Sequence, residues 1–309
     1  MTDFLVRPFR RSDREQVTRL VNAHAAAVIP GVTASVNAVL NQFEREPGEF
    51  IVGSWVKERQ TLVAEQDGSI VAAALIARHR DGVDVGEAFR NTGEIRWLVF
   101  WPLAPAGNPH WSDGQAAAQG VMDACLDQFR HWRVSRVSAD GALPVAGVYG
   151  VPEQWPHIAQ LYTGNGFSPV PDRTEILHLA DLGDVPEPGD PPLPGLQLQR
   201  LVGINGTRLS AHVDSTRVGY LEVEVLDQAE RQPRLGGLAD IGNLTVIENY
   251  RRQGIATWLL RHAARWLKLG HVDRLLHYAG PEETAQLAFV ERNRFSEITR
   301  TQRGWERPV

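Results

Sequence analysis

Short runs in which apolar residues alternate or crowd together are interleaved along the chain with longer stretches of helical period, a pattern of mixed strands and helices. Residues 4–7 read as a first strand, followed by a helix capped by Ser12 that runs towards Val28. A further helix is predicted around residues 36–45. Residues 61–65 and 69–77 flank an Asp67-Gly68 turn, a strong hairpin signal. A strand over 94–100, a helix over 115–131 and a strand over 136–139 come next. A helix over 156–167 and a strand over 175–179 close this first series.

The segment 184–195 (DVPEPGDPPLPG) is too rich in Pro, Gly and acid for a regular element and reads as a semi-rigid linker. The series then begins again. Residues 196–201 form a strand, 208–213 and 217–226 a hairpin, and 239–246 a strand. Ile255, Trp258, Leu259, His262, Trp266 and Leu269 mark one face of a helix, and a strand over 274–278 follows. The second series has almost no room for helices between its first strand and its hairpin. Two domains are therefore expected, 1–183 and 196–309, joined by the linker, and a chain of 309 residues is long enough to hold both cores.

Composition narrows the function. Hydrophobic content of 43% and charged content of 22% are those of a soluble globular protein. A net charge of -5 and pI near 6.1 argue against general binding to nucleic acid or anionic membranes. The single cysteine, Cys125, excludes an internal disulfide and a Cys-based zinc cage, and its apolar neighbours suggest a buried thiol. The scattered histidines show no metal-ligand spacing, so no metal is expected. No signal-peptide pattern opens the sequence and no apolar run approaches the ~20 residues of a membrane span, which leads to the expectation of a cytoplasmic protein, monomer or homodimer.

Candidate chemistry concentrates at 249–256, Asn-Tyr-Arg-Arg-Gln-Gly-Ile-Ala, between a strand and the amphipathic helix. First-turn N–H groups have no intrahelical partner and the positive dipole end adds to their field, so arginines and a glycine here suit an anion. The spacing Arg-x-x-Gly-x-Ala, entered from Leu-Thr-Val, resembles the coenzyme-A signature of GCN5-related N-acetyltransferases, the GNAT superfamily. The resemblance implies an α/β (α+β) fold of two tandem GNAT-like domains, each a mixed, mostly antiparallel sheet flanked by helices. It implies acetyl-CoA as the acyl donor, bound by Leu244, Thr245 and Val246 of a splayed strand and by Arg251, Arg252, Gln253, Gly254, Ile255, Ala256 and Thr257. It also implies a small-molecule amine as acceptor, attacked directly in a ternary complex. Asp240 stands where family members carry a glutamate base; a solvated or helix-capping acid is the other reading of that residue. The alternative function is a non-catalytic acyl-CoA-binding or interaction protein.

The two copies differ in what they keep. Residues 93–100 parallel 239–246, but 101–115 of the first copy carries no Arg-x-x-Gly-x-Gly/Ala, so that copy reads as degenerate. The family's Tyr-x-x-x-Gly-Phe, whose tyrosine acts as general acid, survives in the first copy as Tyr162 to Phe167. In the second, Val290 and Arg294 replace the tyrosine and glycine. Tyr162 is then expected to pack in a core or interface, and water, His277 or Tyr278 to assist thiolate departure.

Overall fold

The computed structural model describes residues 4–45, 53, 55–101, 114–204, 206–226 and 237–308. The chain divides into two compact units: unit 1 comprises Met1–Thr174 and Arg300–Val309, and unit 2 comprises Glu175–Thr299.

In unit 1, β1 (Leu5–Pro8) leads through a 3-10 turn into α1 (Arg14–Val28) and α2 (Val36–Glu44). The hairpin β2 (Val56–Gln66) and β3 (Ser69–His79) follows. Then come β4 (Thr92–Phe100), α3 (Gly114–Trp132), β5 (Arg136–Ala139), β6 (Val151–Pro152), α4 (Pro156–Gly164) and β7 (Ser168–Pro169). The hairpin turns at Asp67 (φ 49°) and Gly68 (φ 75°), as an Asp-Gly pair does when both central residues are left-handed. Asp13, not Ser12, starts α1. Its buried carboxylate accepts the Arg10 backbone N–H at 2.7 Å and the Arg7 guanidinium at 2.7 and 3.0 Å, which draws the chain past Ser12.

Unit 2 begins with β8 (Thr174–Asp181), β9 (Gln197–Val202), β10 (Thr207–Val213), β11 (Thr216–Val225) and β12 (Gly237–Val246). It continues with α5 (Ile255–Leu269), β13 (Val272–Ala279), α6 (Thr284–Arg292) and β14 (Ser296–Gln302), and β15 (Trp305–Arg307) returns to unit 1. No helix separates β9 from β10; the Gly203 N–H donates to the Gly206 carbonyl at 2.8 Å and turns the chain at once. Along α5, Ile255, Trp258, Leu259, Ala263 and Leu267 pack on Leu209, Leu221, Val223 and Ile241 of the sheet. Burial of each such Leu contributes about 2 kcal/mol relative to exposure. Leu269, at the end of the predicted stripe, is exposed, because the helix stops at Gly270.

The division differs from the one expected from the linker. β8, which the sequence pattern assigns to the close of the first unit, pairs antiparallel with β13 from Arg274↔Asp181 to Ala279↔Ile176. β15 in turn pairs with β5 and β7 of the first sheet, whose order is β1-β2-β3-β4-β5-β15-β7. The proline-rich 184–195 therefore lies inside unit 2. Each sheet has a strand edge after its parallel pair, and each edge is covered by a strand from the other half of the sequence. No helix among the described residues is long and apolar enough to cross a membrane.

Candidate functional site

The site is built on β12. Its parallel pairing with β13 runs from Gly237↔Val272 to Asp240↔Leu276 and ends there. Against β11 the register slips by one residue, since Glu222 faces Asn243 while Val223 faces Ile241, so Gly242 is a bulge. Beyond it, Leu244, Thr245 and Val246 stay paired with β11 but have lost β13. Their second edge borders an opening. Glu222 holds the bulge: its fully buried carboxylate accepts Asn243 Nδ2 at 2.8 Å, Arg208 Nε at 2.6 Å and the Ile204 N–H at 3.1 Å.

The anion turn follows the strand. Arg252 (φ 62°) and Gly254 (φ 86°) are both left-handed, and Gly254 is the N-cap of α5. Left-handed backbone is disfavoured by a kcal/mol or so at an arginine, and strain of that kind is retained at sites that need a particular N–H direction. A Cβ at Gly254 would lie 3.4 Å from Pro192 Cβ, so the proline-rich segment passes beside the turn. A cavity of about 550 Å³ opens here. One wall is Leu244, Thr245, Val246, Tyr250, Arg251 and Arg252 with Gly254, Ile255, Ala256 and Thr257; the other is the start and inner face of α6, including Glu283, Gln286, Phe289 and Arg292. The volume suits a cofactor-sized ligand. Nine of the ten residues assigned from sequence to the acyl donor line it. Gln253 does not; its amide turns back to the Asn249 carbonyl at 3.0 Å. Three arginines and the unpaired amides of α5 fit a diphosphate, and the apolar wall fits a neutral arm.

The α6 wall was missed from sequence. Ala285, Ala288, Phe289 and Arg292 stand at i, i+3, i+4 and i+7, a spacing that marks one helix face. The start of α6 is fixed by a polar chain. Glu283 accepts the Gly280 N–H at 2.7 Å and Gln286 Nε2 at 2.6 Å, and Gln286 Oε1 meets His277 Nε2 at 2.9 Å. His277 therefore donates from Nε2; burial pushes its pKa down to about 4, so the ring is neutral.

Asp240 does not line the cavity. It sits on the same strand at the last position paired with β13, directly opposite Glu224 of β11. Burial pushes its pKa up to about 7, and the charges of Glu224 and Glu175 add to the rise. Its Oδ1 is buried without a hydrogen-bond partner among the described residues. A carboxyl that ionises near neutrality and keeps a lone pair free is suited to accepting a proton.

Unit 1 carries the same strand with the chemistry closed. β4 has its own one-residue bulge, at Arg96, which aligns Glu94 with Asp240. There the gap beyond the parallel pair is bridged, the Asp140 and Ala142 N–H groups donating to Ile95 and Arg96 carbonyls at 2.9 Å each. Burial alone would raise the pKa of Glu94, but the His79 hydrogen bond at 2.9 Å and Arg96 at 3.4 Å outweigh it and lower the value. Tyr162 is fully buried between Phe167 and Trp305 and donates to the Asp140 carbonyl at 2.9 Å. Trp97 is buried with its Nε1 on Gln42 at 2.8 Å, and Cys125 is buried as expected. Trp111 and the replaced turn at 102–113 lie outside the described residues.

Residues 175–294 match the family model described as Acetyltransferase (GNAT) family. Over 98% of both chains the structure is similar to a tandem GNAT protein from the clavulanic acid biosynthesis pathway, at TM-score 0.67 and 14% identity. It is similar to a GCN5-related N-acetyltransferase from Sphaerobacter thermophilus over 98% of this chain and 95% of that one, at TM-score 0.61 and 15% identity. A glucosamine N-acetyltransferase region of a fungal multi-domain β-N-acetylglucosaminidase gives TM-score 0.62 at 16% identity, over 99% of this chain and 38% of that one. No curated protein matches the sequence. At these identities the structural matches establish the fold.

Proposed function

We propose that the protein is a tandem GNAT protein and that unit 2, which holds the residues matched by the family model, is an N-acetyltransferase moving an acetyl group from acetyl-CoA to the amine of a small molecule. One observation carries the reading. The left-handed turn at Arg252 and Gly254, the free amides of α5 and the unpaired edge of Leu244 to Val246 all open onto one cavity. In this reading Arg251, Arg252 and the amides of Ile255, Ala256 and Thr257 hold the diphosphate, with Arg292 as a further cation. The free edge of Leu244 to Val246 meets the amides of the pantetheine arm, and Phe289 packs on it. Bound acetyl-CoA supplies the acetyl group as a thioester.

Asp240 takes the proton from the acceptor ammonium, directly or through one water. Above pH 7 it is ionised and able to do so. The amine nitrogen then bonds the acetyl carbon as the carbon–sulfur bond breaks, and the departing thiolate draws its proton from water. Two neighbours whose names attach to small molecules, glucosamine and the clavulanic acid pathway, favour an acceptor of that size.

A non-catalytic acyl-CoA-binding protein is the competing reading, and its support is Val290. The position where the family carries its acid is a buried valine in the core of unit 2. Steady-state thiol release from acetyl-CoA with a panel of small amines separates the two. Acceptor-dependent release supports the enzyme; tight coenzyme-A binding with no release by any amine supports the binding protein.

A further inference from the structure

The cavity of unit 2 carries opposite charge at its two ends. At one end Arg251 reaches back through Nε to the Val246 carbonyl at 3.0 Å, which seats the anion turn beside the end of β12. The last turn of α6 closes on the same place, since Asn293 Nδ2 donates to Thr257 Oγ1 in the first turn of α5 at 3.4 Å. Arg292 therefore joins Arg251 and Arg252 along this end of the lining. From Arg292 back to Thr284 the axis of α6 covers about 12 Å, at roughly 1.5 Å per residue. The far end carries carboxylates. Glu283 accepts the Gly280 N–H at 2.7 Å and Gln286 Nε2 at 2.6 Å. The Glu282 carboxylate folds over Gly280, where any Cβ would collide with it. Both glutamates line the cavity. Counting on from the last parallel pair, Asp240↔Leu276, sets Gly280 level with Leu244, the end of the free edge away from the arginines.

The acidic wall belongs to the donor side of the sheet. Successive strand residues face opposite ways, so His277, which bonds Gln286 of α6, points to one face, and Leu276 with its partner Asp240 to the other. An acceptor whose ammonium meets Asp240 comes from the face away from α6, and Glu282 and Glu283 are left to meet the acyl thioester. We propose that these two glutamates select the acyl donor: they admit short uncharged acyl groups and reject acyl groups that end in a carboxylate. This rests on the assignment of the cavity to acetyl-CoA, with the diphosphate at the arginines and the thioester towards Leu244. A carboxylate on the acyl group would be brought against two charges of its own sign, and such juxtaposition is how a site rejects a wrong partner. Glu283 is half-buried and held in place by two neutral N–H donors, so it carries the larger share of the repulsion. Glu282 is exposed and contributes less, because water and salt screen it. An acetyl group meets neither cost.

The test is isothermal titration of the full-length protein with coenzyme A, succinyl-CoA and 4-methylpentanoyl-CoA, whose acyl group has the shape of succinyl without its charge. Coenzyme A reports on the cofactor assignment by itself. The parent is expected to bind 4-methylpentanoyl-CoA about tenfold or more tightly than succinyl-CoA at low salt, and the ratio should narrow as sodium chloride is added. In Glu282→Gln/Glu283→Gln the two affinities should become nearly equal, with Glu283→Gln alone accounting for most of the change. Glu282→Gln alone, at an exposed position where folding is not at stake, should narrow the ratio by a smaller, measurable step. The ratio is read within each protein, so any effect of a substitution on folding or on cofactor binding common to both thioesters cancels. If coenzyme A binds and the parent takes both thioesters equally, or if the preference survives the double substitution, the glutamates do not select the donor. If coenzyme A itself fails to bind the parent, the cofactor assignment falls, and this proposal falls with it.

Discussion

Asp240→Asn separates a base from a bystander by what it does to stability as well as to rate. The side chain is nearly isosteric and does not titrate. In the folded protein Asp240 ionises near pH 7, against an ordinary value of 3.8. At 1.36 kcal/mol per unit the charged form therefore weakens the fold by up to about 4 kcal/mol above pH 7. The sign follows from proton counting. Between pH 3.8 and 7 the folded chain keeps a proton that the unfolded chain has released, so parent stability falls as pH rises through that window. The asparagine variant lacks this term. It carries instead a pH-independent penalty of about 1–3 kcal/mol for an amide buried where Oδ1 has no partner. The variant should melt below the parent at pH 4.5 and at or above it at pH 8. For a unit of this size the swing amounts to roughly 10 °C. Scanning calorimetry of both proteins across the range reads it directly. Acetyl transfer at pH 8 should fall by about 10²–10⁴ while coenzyme-A affinity stays within a few-fold. A difference in melting temperature that is flat with pH would refute the raised ionisation, and turnover within a few-fold of the parent would place the base elsewhere.

Three further outcomes follow from the same geometry. Glu224→Gln removes the charge opposite Asp240, so the alkaline-rising limb of kcat/KM should move to lower pH; an unmoved limb contradicts that coupling. Tyr162→Phe deletes a buried hydrogen bond in unit 1, and about 1 kcal/mol of stability should be lost with acetyl transfer unchanged; a large fall in kcat would restore Tyr162 to the mechanism. Arg292→Gln, on the α6 wall of the cavity, should weaken coenzyme-A binding several-fold, by less as salt is added, and leave kcat near the parent value; a salt-independent loss would point to packing instead of charge.

Much of this was legible in the sequence because it is local. Asp67-Gly68 needs two left-handed residues, and Gly254 after two arginines announces an anion turn at a helix start; both are decided within four residues. Asp240 and Leu244 to Val246 are assigned through the family resemblance; separately, the strand pattern of 239–246 parallels that of 93–100, and both strands carry a one-residue bulge at the equivalent position, Gly242 and Arg96. What stayed hidden depends on distant pairing. Nothing within 175–179 distinguishes a strand of one sheet from a strand of the other, so the exchange of β8 and β15 between sheets could not be read. The shift of Asp240 is hidden for the same reason, since Glu224 stands opposite it only once the register is set.

The central claim is that one acetyl-CoA site exists, on unit 2. Isothermal titration of the full-length protein with coenzyme A, for the parent and for Gly254→Glu, tests it most directly. One equivalent should bind per chain, and none to the variant, whose carboxylate enters the turn and repels the diphosphate. Two equivalents per chain, or an affinity unchanged by Gly254→Glu, would contradict the account.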